Sequence, residues 1–140
     1  MKLLILNGPN LNLLGKREPG VYGADTLESI NAGLSNYAQP RGIELRFIQS
    51  NHEGALIDAL HDAQTWADGV VFNPGGYTHT SVALRDAIAA ITIPVVEVHN
   101  SNVYARESFR HQSMVSAVCK GKISGFGARS YLLGVQSFES

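Results

Sequence analysis

The sequence predicts an α/β protein built on a five-stranded parallel sheet. Three observations carry this. Short runs rich in Val, Ile and Leu recur along the chain, segments of helical hydrophobic period separate them, and Gly, Pro, Asn and Asp punctuate the joins. Runs without a polar face belong to strands covered on both sides, which is the environment of a parallel sheet between helical layers.

Lys2–Asn7 is such a run, closed by Gly8-Pro9-Asn10. Asp25 or Thr26 suits a helix N-cap, and Leu27, Ile30, Leu34 and Tyr37 lie on one helical face. Pro40 to Gly42 ends that helix, and Glu44–Gln49 alternates as a strand. From about Glu53 the residues Leu56, Ile57, Leu60, Ala63 and Ala67 form a second helical stripe. Gly69–Asn73 is a short β-branched strand, Ser81–Ile91 a helix capped by Thr80 or Ser81, and Ile93–His99 a strand opened by Pro94. A shorter helical stretch is expected over Ser108–Lys120, a glycine-rich last strand over Ile123–Gly127, and a closing helix over Ser130–Phe138. Strands alternating with helices imply right-handed βαβ crossovers. For five strands the economical arrangement is a flavodoxin-like three-layer sandwich in the order 2-1-3-4-5.

The 140 residues suit a single domain with one sizeable core, spanning residues 1–140. Hydrophobic residues at 44% against charged residues at 16% are the balance of a compact chain, not a disordered one. A formal charge of -1 lacks the basic excess that nucleic-acid binding needs. No apolar run approaches the ~20 residues that cross a bilayer. The apolar start at Met1–Leu6 is too short for a signal peptide and is interrupted at once by Asn7-Gly8-Pro9, so it reads as a buried strand. The lone Cys119 has no disulfide partner and sits in an apolar stretch, and no Cys/His cluster has zinc spacing, so the expected compartment is the cytoplasm.

In open α/β sheets, ligands bind beyond the carboxyl ends of the strands. Those ends carry Asn7, Asn10 and Asn12; then Ser50, Asn51 and His52; then Asn73 through Ser81; then Glu97, His99, Asn100, Ser101 and Asn102, with Arg106 and Arg110 soon after. Such groups hydrogen-bond in many directions and include little carboxylate, which suits a small polyhydroxylated acid. Asn7 and Asn10 read first as residues tying down a turn. Gly75-Gly76 serves equally as a turn into the next helix and as amides facing an anion. His79 lies in a polar turn and reads as a site residue, whereas His52, His61 and His111 read as surface or structural.

Glu97 and His99 are the most informative pair. Residues two apart on a strand face the same way, so the carboxylate can orient and charge-tune the imidazole. A purely structural ion pair is the weaker reading, because Glu97 interrupts Val95-Val96 and Val98 where a parallel strand is normally apolar. The long polar connection from Asn10 to Asp25, with a charged centre at Lys16-Arg17-Glu18, reads as a lid over about residues 13–25, with Gly15, Gly20 and Gly23 as hinges. By composition alone Tyr22 reads at least as well as a packed loop tip, and Arg17 as a solvated charge, as either does as a site residue.

Read together, these segments resemble the type II dehydroquinases from end to end. The resemblance is carried by Leu6-Asn7-Gly8-Pro9-Asn10-Leu11-Asn12-Leu13-Leu14-Gly15, by Arg17-Glu18-Pro19 with Tyr22-Gly23, and by Gln49-Ser50-Asn51 with Glu53-Gly54. It continues through Asn73 to Asp86, Glu97-Val98-His99, Ser101-Asn102, Ala105-Arg106-Glu107, Phe109-Arg110 and Gly125-Phe126-Gly127.

The resemblance implies dehydration of 3-dehydroquinate to 3-dehydroshikimate by anti elimination through an enolate, with no metal, Schiff base or other cofactor. It implies a homododecamer, a tetramer of trimers, in which Asp86 reaches the site of a neighbouring subunit. It makes Tyr22 the base, Arg17 the lid cation beside it, and Asn12 the holder of a water at the developing enolate oxygen. His99, positioned by Glu97, becomes the acid for the departing hydroxyl. Asn73, His79 and Arg110 match substrate contacts, Asn100 and Ser101 a carboxylate site, and Arg106 a second cation near the tyrosine. One departure stands out: position 100, usually a branched aliphatic residue in this family, is Asn100 here.

Simple electrostatics makes these roles reasonable. A free tyrosine has a pKa of about 10, and lowering it by ~2–3 units takes roughly 3–4 kcal/mol. One cation ~4 Å away at an effective dielectric of ~20 supplies about that much. A closing lid would thus activate the base and exclude water together. The lysines Lys2, Lys16, Lys120 and Lys122 all fall away from the expected strand ends. The competing function is a flavodoxin-like ligand-binding module without catalysis. It would want a Ser/Thr/Gly-rich phosphate loop after the first strand, where Gly-Pro-Asn-Leu-Asn stands instead. A receiver-like signalling domain would want acidic residues at Asn7 and Asn73.

Overall fold

The computed structural model describes residues 1–16 and 25–140. The strands are β1 (Lys2–Asn7), β2 (Glu44–Gln49), β3 (Gly69–Asn73), β4 (Val95–His99) and β5 (Gly121–Ser124). The α-helices are α1 (Leu27–Ala38), α2 (Glu53–Ala63), α3 (Val82–Ala90) and α4 (Arg129–Gln136). The strands form one sheet in the order β2-β1-β3-β4-β5, and every adjacent pair is parallel. The flavodoxin-like arrangement expected from the sequence is therefore the observed one.

The pleat divides each central strand between two cores. Leu4 and Leu6 of β1, Val70 and Phe72 of β3, and Val95 of β4 pack against Leu56, Leu60, Leu84 and Ile88 of α2 and α3. Leu3 and Ile5, Val71, and Val96 and Val98 pack on the opposite face against Leu27, Ile30, Leu34, Tyr131 and Val135 of α1 and α4. By the same period of two, Glu97 and His99 extend the Val95 face. Edge strand β2 alternates exposed and half-buried residues, as a strand with one free side does.

Local chemistry fixes the helix ends. Thr26 Oγ1 accepts from the Ser29 amide at 3.1 Å while Ser29 Oγ accepts from the Thr26 amide at 3.0 Å, a capping box with serine at its third position. Ser81, not Thr80, caps α3, its hydroxyl accepting from the Leu84 amide at 2.9 Å. Strand β4 starts at Val95, after Pro94, two residues later than expected. Among the described residues no helix is long and apolar enough to cross a membrane.

Two expectations are corrected. Ser108–Lys120 forms no α-helix; it holds 3₁₀ turns at Ser108–Arg110 and Ser116–Val118. The Ser113 hydroxyl takes the amides of Val115 at 3.2 Å and Ser116 at 3.0 Å, a local alternative to helical bonding. The last strand is Gly121–Ser124 and not Ile123–Gly127. That shift brings Lys122 into the sheet in register with Glu97.

Candidate active site

The turns after β1 and β3 interlock by backbone. The Gly8 amide donates to the Asn73 carbonyl at 2.8 Å, and a Cβ on Gly8 would lie 2.4 Å from the Pro74 carbonyl oxygen. Gly75, at φ +61°, approaches the Pro9 carbonyl from the other side. Beneath the turns, the buried Tyr131 hydroxyl donates to Asn7 Oδ1 at 2.6 Å and accepts from Asn73 Nδ2 at 2.9 Å. Asn73 Oδ1 accepts from the Gly75 amide at 3.1 Å. Burial pushes the Tyr131 phenol well above its ordinary pKa, against a smaller opposing pull from Asn73, so it stays protonated and acts as a donor. The reading of Asn7 as a turn-holding residue matches this geometry.

A cleft opens over these turns at the carboxyl ends of β1, β3 and β4. Asn73, His79, His99, Asn100, Ser101, Arg106 and Arg110, all singled out from the sequence, line it together. The turns after β1 and β3, with Leu14 and Val103, supply the rest of its wall among the described residues. Asn12 lies in the adjoining 3₁₀ turn Leu11–Leu13, exposed and outside the lining. Asp86 is exposed on α3 and is not part of the cleft lining of its own chain. Tyr22, Arg17 and most of the expected lid lie outside the described residues.

Three lining side chains after β3 and β4, His79, Arg106 and Arg110, are held by polar contacts. His79 Nδ1 is 2.7 Å from the Gln112 carbonyl, which can only accept, so Nδ1 carries hydrogen and Nε2 is left as the second ring nitrogen. Burial lowers the His79 pKa most; the Gln112 bond opposes this, and His99, Arg110 and Lys122 add to the lowering. His79 is thus neutral near pH 7, with Nε2 an acceptor. Arg106 reaches Ser101 Oγ at 3.4 Å, and Arg110 pairs with Glu107 at 3.2 Å. The cleft therefore combines cations, amides and neutral imidazole, a set suited to an anionic polyol.

Behind the lining, Glu97 is 0% exposed and His99 6%. His99 Nε2 lies 2.5 Å from Glu97 Oε2. Ser113 Oγ donates to both carboxylate oxygens at 3.1 Å, Ser116 Oγ donates to Oε1, and Lys122 Nζ lies 4.0 Å from Oε2. Burial alone would raise the Glu97 pKa, but the hydrogen bond and charge of His99, the Ser116 hydroxyl and Lys122 together hold it below the usual carboxylate value. Cys119 packs against the neighbouring core, and burial reinforced by the Glu97 charge pushes its thiol up to about 12, so it remains a neutral packing residue. Ser113, Ser116 and Lys122 were not legible as site residues. The one available signal was the buried carboxylate itself, which needs donors from somewhere. No group of three or more His, Cys, Asp or Glu placed to hold a metal occurs among the described residues.

The sequence profile of the family described as "Dehydroquinase class II" matches residues 1–139. The chain belongs to that family. A 3-dehydroquinate dehydratase from Gloeobacter violaceus is 61% identical over 137 residues, covering 98% of this chain and 86% of the relative. One from Rhizobium etli is 56% identical over 138 residues, covering 99% and 95%. Among solved structures, a type II dehydroquinase from Butyrivibrio crossotus superposes with a TM-score of 0.98 at 46% identity, covering 100% of this chain and 98% of the other. The described residues thus reproduce a type II dehydroquinase fold, with Glu97 buried behind the cleft-lining His99.

Proposed function

We propose that the chain dehydrates 3-dehydroquinate to 3-dehydroshikimate by anti elimination through an enolate, without metal or Schiff base. The observation that carries this is the His99 ring, lining a polar cleft while its Nε2 is held by a buried carboxylate. Such a ring holds a proton for delivery to a leaving hydroxyl, and the carboxylate stabilises its charged form. The names of the relatives support the substrate. Among the described residues no lysine lines the cleft, and Lys122, next to Glu97, lies outside that lining, which favours a route without an imine.

In this reading Tyr22 abstracts the proton beside the ketone, supported by Arg17 and Arg106, while residues 13–25 close as a lid. Asn12 positions a water at the enolate oxygen, a donor worth about 3 kcal/mol where such donors have been removed. Asn73, His79 and Arg110 hold substrate hydroxyls, and the amides at Asn100 and Ser101 hold the carboxylate. Asp86, exposed and outside its own cleft, reaches a neighbouring subunit within a homododecamer working in the cytoplasm.

The test is turnover of 3-dehydroquinate by purified protein with chelator present, followed by borohydride treatment. Full activity and no covalent adduct are expected; chelator inhibition or a borohydride adduct would overturn the mechanism. Tyr22→Phe should abolish turnover yet retain ligand binding. His99→Ala should block elimination while exchange of the proton beside the ketone partly persists; loss of exchange first would reverse the two roles.

A further inference from the structure

We infer that Ser113 and Ser116 are positioning residues of the His99 centre. Their hydroxyls fix Glu97 as an ionised acceptor, and through it decide which nitrogen of His99 serves the cleft and how tightly the ring holds its second proton. The inference deepens the assignment of His99 as the acid and rests on it.

Glu97 is fully buried, so its lone pairs must be satisfied by protein. A hydroxyl has one hydrogen and two acceptor sites. Both acceptor sites of Ser113 are taken, by the amides of Val115 and Ser116, so its hydrogen has only Glu97 left to meet. Ser116 adds a second donor on Oε1. A protonated Glu97 would present a hydrogen where these groups offer hydrogens of their own. The carboxyl is therefore held as an anion, and Nε2–H of His99 must donate to it. Nδ1 is then the nitrogen left for the cleft.

The same donors tune the acid. Each one spreads the carboxylate's negative charge and weakens its pull on the imidazolium, so the ring gives up its proton more readily. Among the described residues, the other charged or titratable groups around the pair are Lys122 on β5, Cys119 just before it, His79 from the turn after β3, and Arg106 and Arg110 from the turns after β4. All of them remain when a serine hydroxyl is removed.

Ser116→Ala is the clean variant, because among the described residues the Ser116 hydroxyl bonds to Glu97 alone, whereas Ser113 also organises a turn. The midpoint of the His99 ring titration, followed by nitrogen NMR, should rise by about one pH unit, the size of one lost charge-assisted bond. With 3-dehydroquinate, the basic limb of the kcat profile should move up with it and kcat should fall ~10-fold while KM stays within ~2-fold. Ser116→Thr keeps the hydroxyl and should restore both. Ser113→Ala should give the same titration shift and a lower melting temperature. A ring titration unmoved in both alanine variants, or not restored by threonine, overturns the inference. A moved titration with an unmoved kcat profile upholds the coupling and instead removes His99 from the acid role.

Discussion

Nε2 of His99 lies 2.5 Å from Oε2 of Glu97, two residues along one buried strand face. This contact fixes ring orientation, tautomer and charge partner together. Glu97→Gln keeps an acceptor of the same shape and removes the charge. We expect kcat to fall ~100-fold with KM within ~3-fold, since positioned acid–base groups contribute on the order of 10²–10⁴. Steady-state kinetics on 3-dehydroquinate checks this, and a variant losing less than ~3-fold would show that the carboxylate's charge is not needed.

Acid should destabilise the fold in two steps. Glu97 and His79 both have folded-state pKa values below their ordinary ones. The native state therefore binds fewer protons than the unfolded chain, and stability is lost as pH falls through these groups' titration. The His79 contribution is complete above about pH 6.5 and declines below it; the Glu97 contribution declines below about pH 4.5. Denaturant melts at pH 7.5, 5.5 and 4.0 should show decreasing stability, and His79→Asn should flatten the upper step alone. An unchanged upper step in that variant would separate His79 from the effect.

Tyr131 joins two strand ends through one hydroxyl, donating to Asn7 and accepting from Asn73. Tyr131→Phe preserves the packing and leaves both amides short of a buried partner, a loss of about 1–3 kcal/mol. Because Asn73 also holds the Gly75 amide, the wall of the cleft should loosen and KM should rise. Chemical denaturation paired with kinetics tests this; loss of stability with an unchanged KM would confine the network to a structural role.

How far the sequence carried depends on where each residue's environment is decided. Strands β1, β2 and β3 and the Thr26 cap were readable because local pattern and local hydrogen bonding determine them. The cleft residues were readable because they follow strand ends, whose position in a parallel sheet is a matter of topology. Ser113, Ser116 and Lys122 were not. Their importance comes from the register of β4 with β5 and from a crossover packed over the Val95 face, neither of which is encoded in local spacing. The missing helix over Ser108–Lys120 has the same origin, since Ser113 spends its hydroxyl on the turn and on Glu97.

Asn100 supplies the last prediction. It is 6% exposed, and its Oδ1 is buried with no hydrogen-bond partner among the described residues. Its backbone carbonyl is engaged, accepting from the Gly127 amide at 2.9 Å. An orphaned buried acceptor costs about 1–3 kcal/mol. Asn100→Val removes the orphan with a branched side chain one heavy atom smaller, so the protein should gain about 1 kcal/mol and melt about 3–4 °C higher. If the backbone amide at this position holds the substrate carboxylate, KM should stay within ~3-fold of the parent value, because the amide is unchanged. A gain in stability accompanied by a KM raised ~10-fold would show that the Asn100 side chain itself turns to the ligand, exchanging its unpaired state for a substrate contact.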